Sequence, residues 1–212
     1  MPAPVLIVNY GMGNLRSVAN ALASLGCDTV ISDNPRDAAA AAALVLPGVG
    51  AFGDGMDNLR SAGWIEALDC EVRQNRKPIL GLCLGMQLLA TQGTEHGKHQ
   101  GLNWISGIAE KIPVNGSALR VPHIGWNDVE VKKSGGLYAG LASSPVFYFV
   151  HSYVLRPDDP DVISGVCEYG GEFAASVEAG NIYATQFHPE KSQRAGLHVL
   201  RRFVEIVKAG RC

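Results

Sequence analysis

The sequence has no apolar run long enough to cross a bilayer, no basic run, no paired-cysteine motif and no complete nucleotide-binding loop. Each absence removes a class of function. The apolar stretch 38–49 is interrupted by Pro47 and falls well short of the ~20 residues a membrane-crossing helix needs, so no membrane role is expected. Lys and Arg number 18 against 20 acidic residues, a net charge of −2. That balance offers nothing to neutralise a phosphate backbone, and no nucleic acid is expected as a partner. The five cysteines, Cys27, Cys70, Cys83, Cys167 and Cys212, are scattered and odd in number. They suggest neither a disulfide framework nor a zinc knuckle, and a reducing, cytoplasmic setting is the simpler expectation. His96 and His99 sit in a polar loop without further ligands, too few for a metal site. Gly11-Met12-Gly13-Asn14 is not a dinucleotide loop, because Arg16 stands where the third glycine belongs. No metal and no cofactor are expected. Residues 1–5 lack the charged and apolar regions of a secretion signal.

What is present fits one α/β domain over residues 1–212. Apolar residues make up 47% of the 212, enough to fill a single core. Val5–Tyr10 predicts a buried parallel strand. Asn14–Leu25 has helical spacing and ends at Gly26, and Asn34-Pro35 opens another helical turn. Leu44–Leu46 and Pro78–Leu82 predict further strands, Trp64–Asn75 and Leu84–Thr91 helices. This rhythm predicts a largely parallel central sheet with helices on both faces. The second half is richer in strands: Val129–Val131, Val146–Val150, Ala174–Val177 and Ile182–Phe187. An amphipathic helix over Gln193–Val207 closes the pattern.

The sharpest chemical signal is Gly81-Leu82-Cys83-Leu84-Gly85 between a predicted strand and a predicted helix. It has the form of a nucleophile elbow with cysteine in place of serine. The glycines allow the tight turn, and the helix start favours a thiolate. Leu84 N–H is placed to hold an oxyanion. Taken alone, five residues also fit a structural cysteine in a glycine turn. Cys27, Cys70 and Cys167 lack this context and read as structural. A thiol nucleophile needs a base and the base an orienting group, and His188-Pro189-Glu190 supplies both. In extended chain, residues two apart point the same way, so Glu190 can reach one ring nitrogen of His188 while the other meets Cys83. Leu46-Pro47-Gly48-Val49-Gly50 ends a strand with two glycines, which suits a second oxyanion donor.

Together these residues resemble the class I (triad) glutamine amidotransferases, and the resemblance implies a flavodoxin-like fold. Tyr10–Leu15, Pro47–Gly50, Pro122–Asn127, His151–Tyr153 and Gln186–Ser192 are similar, in order, to the glutaminase subunits that feed a (βα)8 cyclase in histidine biosynthesis. That resemblance runs from Val5 to Phe203. It implies Cys83 as nucleophile, His188 as base, Glu190 as orienting acid, and Gly48, Val49, Gly50 and Leu84 as the oxyanion hole. It implies that Gln87, Ser152 and Tyr153 hold glutamine. Asn14, Pro122, His123, Trp126, Asn127 and Lys191 would face the cyclase partner. Gly48–Gly50 is expected to present its N–H on assembly. Asn9 stands where the family usually has Asp, and Gly101–Gly107 departs from the usual Gly-Leu-Gly-Leu-Ile-Pro-Gly. Both leave room for a paralogue that feeds a synthase amidating a surface-polysaccharide sugar. A stand-alone cysteine hydrolase of similar fold would need no interface, and would bury Pro122–Asn127.

Overall fold

The structure, a computed structural model, describes residues 3–114 and 119–210. Its centre is an eight-stranded sheet. Across the sheet the order is Thr29–Ser32, Val5–Val8, Ala43–Gly48, Ile79–Cys83, Ile182–Thr185, Glu172–Ala179, Ile163–Glu168 and Glu130–Val131. The first of these through Ile182–Thr185 run parallel, and the remainder are antiparallel.

Strand alternation sends neighbouring side chains to opposite faces. Leu6 and Val8 pack with Met56, Leu59, Trp64 and Leu68. Val5 and Ile7 pack with Val18, Leu22, Val199 and Phe203. Helices therefore cover both faces. Leu15–Ala23 and Gln193–Ala209 lie on one side, Phe52–Ser61 and Trp64–Leu68 on the other. A parallel sheet buried on both sides leaves its binding residues one place to emerge, the carboxyl ends of the strands.

Two smaller sheets flank that end. Val146–His151 pairs antiparallel with His123–Asp128. A four-stranded sheet has the order Tyr153–Pro157, Ile105–Lys111, Ala90–Gly93, His99–Gln100.

Several expectations need correction. The helix after Cys83 spans only Leu84–Gln87, and Ala90–Gly93 is a strand. The reason is tertiary: the N–H groups of Leu102, Asn103, Trp104 and Ile105 take the carbonyls of Leu88, Ala90 and Leu89, which overrides a helical apolar pattern. The helix begun at Trp64 ends at Leu68 and runs on as a π turn over Asp69–Gln74. Phe52–Ser61 forms a helix despite two glycines that lower its propensity. Phe52 N–H donates to the Glu95 carboxylate at 2.9 Å, satisfying one of its open N-terminal donors.

Candidate active site

Cys83 ends the central strand Ile79–Cys83 and caps the short helix behind it, with φ +54° and ψ −107°. A non-glycine residue held there stores roughly 1–3 kcal/mol of strain. The surrounding backbone enforces it. A Cβ on Gly85 would lie 1.8 Å from Leu46 O, so strand and elbow can meet only at a glycine. A Cβ on Gly48 would lie 2.4 Å from the Tyr10 hydroxyl and 2.9 Å from Leu84 Cβ. Gly48 pairs with Cys83 across the parallel ladder. Gly48 and Cys83 are thus locked side by side, while Val49 and Gly50 emerge at the surface, Gly50 with φ +115°.

The helix at Cys83 is a single turn, so its dipole lends the sulfur less than the sequence suggests. Side chains contribute instead. His188 Nδ1 and Glu190 Oε1 lie 2.8 Å apart, both side chains almost wholly buried. Glu190 reaches the ring from a 3-10 turn, Pro189–Lys191, rather than from the extended chain expected. Burial opposes a charged imidazole. The hydrogen bonds and charges of Cys83 and Glu190 outweigh it, lifting His188 to about 9. The Glu190 contact is the firmer cause, because Nε2 has no hydrogen-bond partner at proper geometry in this conformation. The His188 segment is fixed from behind: Ser192 Oγ donates to His188 O at 2.6 Å and accepts from Tyr148 N at 3.0 Å.

Cys83 is 5% exposed, and it opens on a cavity of about 420 Å³. Val49, Gly50, Leu84, Gln87, Glu95, Pro122, Val150, His151, Ser152 and Tyr153 share the wall. The sulfur lies 3.9 Å from Val150 O and 3.6 Å from Gln186 Nε2. Cys167, by contrast, is buried among apolar residues, and burial pushes its thiol up to about 12.

The structure brings the triad, oxyanion and glutamine-pocket candidates to one place. The partner-facing candidates divide. Asn14, Pro122 and Lys191 are exposed, Trp126 is 49% exposed, and Asn127 is half-buried. His123 is a correction: it is 3% exposed, stacked on Tyr169 and Phe149. Buried there, it cannot itself meet a partner. Among the described residues no cluster of His, Cys, Asp or Glu could hold a metal. No helix is long and apolar enough to cross a membrane.

Three residues at the site had no assigned role in the sequence. Gln186 opens the Gln186–Ser192 stretch, where the resemblance gave it no role of its own. Tyr10 is buried with its hydroxyl unpaired beside Gly48. Glu95 comes from a polar loop with no motif around it.

A strained thiol on a strand-to-helix corner, a buried imidazole–carboxylate pair from the far end of the chain, and this sheet order define a class. The chain belongs to the class I glutamine amidotransferases: the family described as glutamine amidotransferase class-I matches residues 6–207. Within that family it is 45% identical over 205 residues to the imidazole glycerol phosphate synthase subunit HisH of Moorella thermoacetica, covering 97% of this chain and 96% of that one. It is 47% identical over 201 residues to the same subunit of Rhodopirellula baltica, covering 94% and 96%. The fold matches a solved glutamine amidotransferase with TM-score 0.74 at 22% identity, covering 96% of this chain and 98% of that one.

Proposed function

We propose that this chain is the glutaminase subunit of an imidazole glycerol phosphate synthase, releasing ammonia from glutamine at Cys83 for a (βα)8 cyclase subunit. One observation carries the reading: a thiol forced onto a strained corner, on the wall of a cavity of about 420 Å³, beside a buried imidazole held by a carboxylate. The near-full-length likeness to synthase subunits supplies the pathway.

The chemistry follows from the charges. With His188 raised to about 9, the ring is imidazolium at neutral pH, and the reacting form of the sulfur beside it is the thiolate. The thiolate attacks the carboxamide carbon of glutamine. The oxyanion is received by Leu84 N–H and an N–H from Gly48–Gly50. His188 gives its proton to the departing nitrogen, so ammonia leaves as NH3 and a γ-glutamyl thioester forms. Neutral His188 then takes a proton from water, hydroxide attacks the thioester, and glutamate departs as the thiolate–imidazolium pair re-forms. Gln87, Ser152 and Tyr153 surround the substrate, and Glu95, the acidic side chain on the cavity wall, suits its α-ammonium.

Ammonia must travel as NH3, since ammonium is no nucleophile, so the exit should be covered by a partner. Ile124, Trp126, Val146 and Val49 are exposed at 60%, 49%, 42% and 44%. A stand-alone hydrolase would have buried them. Val49 belongs to the oxyanion strand, so a docked cyclase touches the element that must present its N–H.

The test measures glutamate release by wild type and Cys83→Ala, each with and without the cyclase. Wild-type activity stimulated by the cyclase and abolished in Cys83→Ala is expected. Turnover by Cys83→Ala near wild type, or no response to the cyclase, overturns the reading.

A further inference from the structure

We propose that Gln186 is a catalytic hydrogen-bond donor to the Cys83 thiolate, held in its donating orientation by Gln87, whose amide is anchored on the backbone carbonyl of Tyr153. The inference rests on the glutaminase reading and adds to it a residue that touches the reacting sulfur.

The hydrogen bonds can be assigned from one fixed point. Tyr153 O is a carbonyl and can only accept. Two side chains meet it: Gln87 Nε2 at 2.8 Å and His151 Nδ1 at 3.0 Å. Both must donate there, and each assignment propagates.

Toward the active site, the same Gln87 amide nitrogen reaches Gln186 Oε1 at 3.1 Å. That contact spends its second hydrogen. Gln186 therefore shows its oxygen to Gln87 and its NH2 to the sulfur, 3.6 Å away. Gln186 is 0% exposed, so no solvent competes for that donor. A hydrogen bond to an ionised acceptor is about twice as strong as a neutral one.

Toward the surface, His151 carries its proton on Nδ1, so its Nε2 accepts. His123 Nδ1, 3.1 Å away, must then donate. His123 Nε2 accepts in turn from Asn127 Nδ2 at 3.4 Å. Asn127 is held by its other contacts: its Nδ2 also donates to Glu168 O at 3.1 Å and its Oδ1 accepts from Asp128 N at 2.9 Å. Every member has one orientation consistent with its neighbours, and both imidazoles must be neutral. Burial supplies that condition, lowering His151 to about 3 and His123 to about 4. Asn127 lies in the same strand as Ile124 and Trp126, but its side chain turns to the opposite, inward face, with His123.

The sequence of donors predicts that Gln186 acts on the sulfur while Gln87 acts as its positioning residue. The test follows iodoacetamide alkylation of the Cys83 peptide against pH, together with kcat and KM for glutamine in the presence of the cyclase. Gln186→Met should lower kcat about 10- to 100-fold, the range spanned by a hydrogen bond to a charged group, with KM little changed. The midpoint of its alkylation profile should move to higher pH. Gln186→Glu, close in volume but without an N–H, should move it further and guards against a variant that fails through packing. Gln87→Leu removes the donor that meets both Tyr153 O and Gln186 Oε1, and should give the same shift, smaller. The other titratable groups facing the sulfur are His188 with Glu190 behind it, Tyr10, and Glu95 across the cavity. None is altered in the Gln186 variants. Alkylation profiles and kcat equal to wild type in both Gln186 variants overturn the proposal, and a wild-type profile in Gln87→Leu breaks the link that orients Gln186. Failure of the glutaminase reading looks different: wild type itself would not be labelled at Cys83 by a glutamine analogue.

Discussion

Two histidine environments lie within the same buried region, and they are opposites. His188, His151 and His123 are 4%, 6% and 3% exposed. Burial alone drives all three toward neutrality. His188 is nevertheless raised to about 9, while His151 falls to about 3 and His123 to about 4. The difference lies in what each ring meets. His188 meets a carboxylate, Glu190, and a nucleophilic sulfur. His151 meets a backbone carbonyl and another imidazole, and His123 an imidazole and an amide. Charge is held at the ring that meets a carboxylate, and the two rings that meet only neutral groups are kept uncharged.

The comparison breaks most visibly at His188. His188→Asn removes the acid and base while leaving the fold, and should lower kcat by ~10²–10⁴, with glutamate release as the measurement. Loss of less than tenfold would mean that another group carries the proton. Glu190→Gln separates orientation from charge. The amide oxygen can still accept from Nδ1, but the charge is gone. Activity should fall by about 10², toward the lower end of what a positioned base contributes. The alkaline limb of its pH profile should move to lower pH, because the imidazolium that protonates ammonia is no longer held to about 9. An alkaline limb that stays in place would assign the lift to Cys83 instead.

Much of this was legible in the sequence, for reasons that can be named. The strand Ile79–Cys83 and the elbow are local: an apolar run, then glycines that only close backbone contact explains. His188 and Glu190 were legible because two residues of spacing brought them together in the turn that formed, although it is 3-10 and not extended. The helix after Gln87 was misjudged because its carbonyls are claimed by residues 102–105, a contact no local pattern announces. His123 was placed on the surface by a motif whose neighbours Ile124 and Trp126 do lie there. Strand alternation turns His123 inward, a period-2 signal present in the sequence once the strand His123–Asp128 is known. Glu95 reaches the cavity through tertiary proximity alone, and Gln186, though it opens the Gln186–Ser192 stretch, meets the sulfur only through the fold.

The smallest expected effect is on stability, and it tests the comparison most directly because it needs no substrate. For His188 the folded value, about 9, lies above the ~6.5 of an unfolded histidine. Its contribution is complete below 6.5 and is lost as pH rises through 9. For His151 and His123 the folded values, about 3 and about 4, lie below it. Their contribution is complete above ~6.5 and is lost as pH falls toward those values. The two environments therefore slope in opposite directions on either side of ~6.5. Urea unfolding across pH should show the alkaline slope reduced in His188→Asn and the acid slope reduced in His151→Phe, each with the other limb intact. Curves for both variants that run parallel to wild type would mean that the rings titrate alike in the folded and unfolded chain. The contrast between a charge-carrying histidine and an uncharged pair would then have no energetic basis.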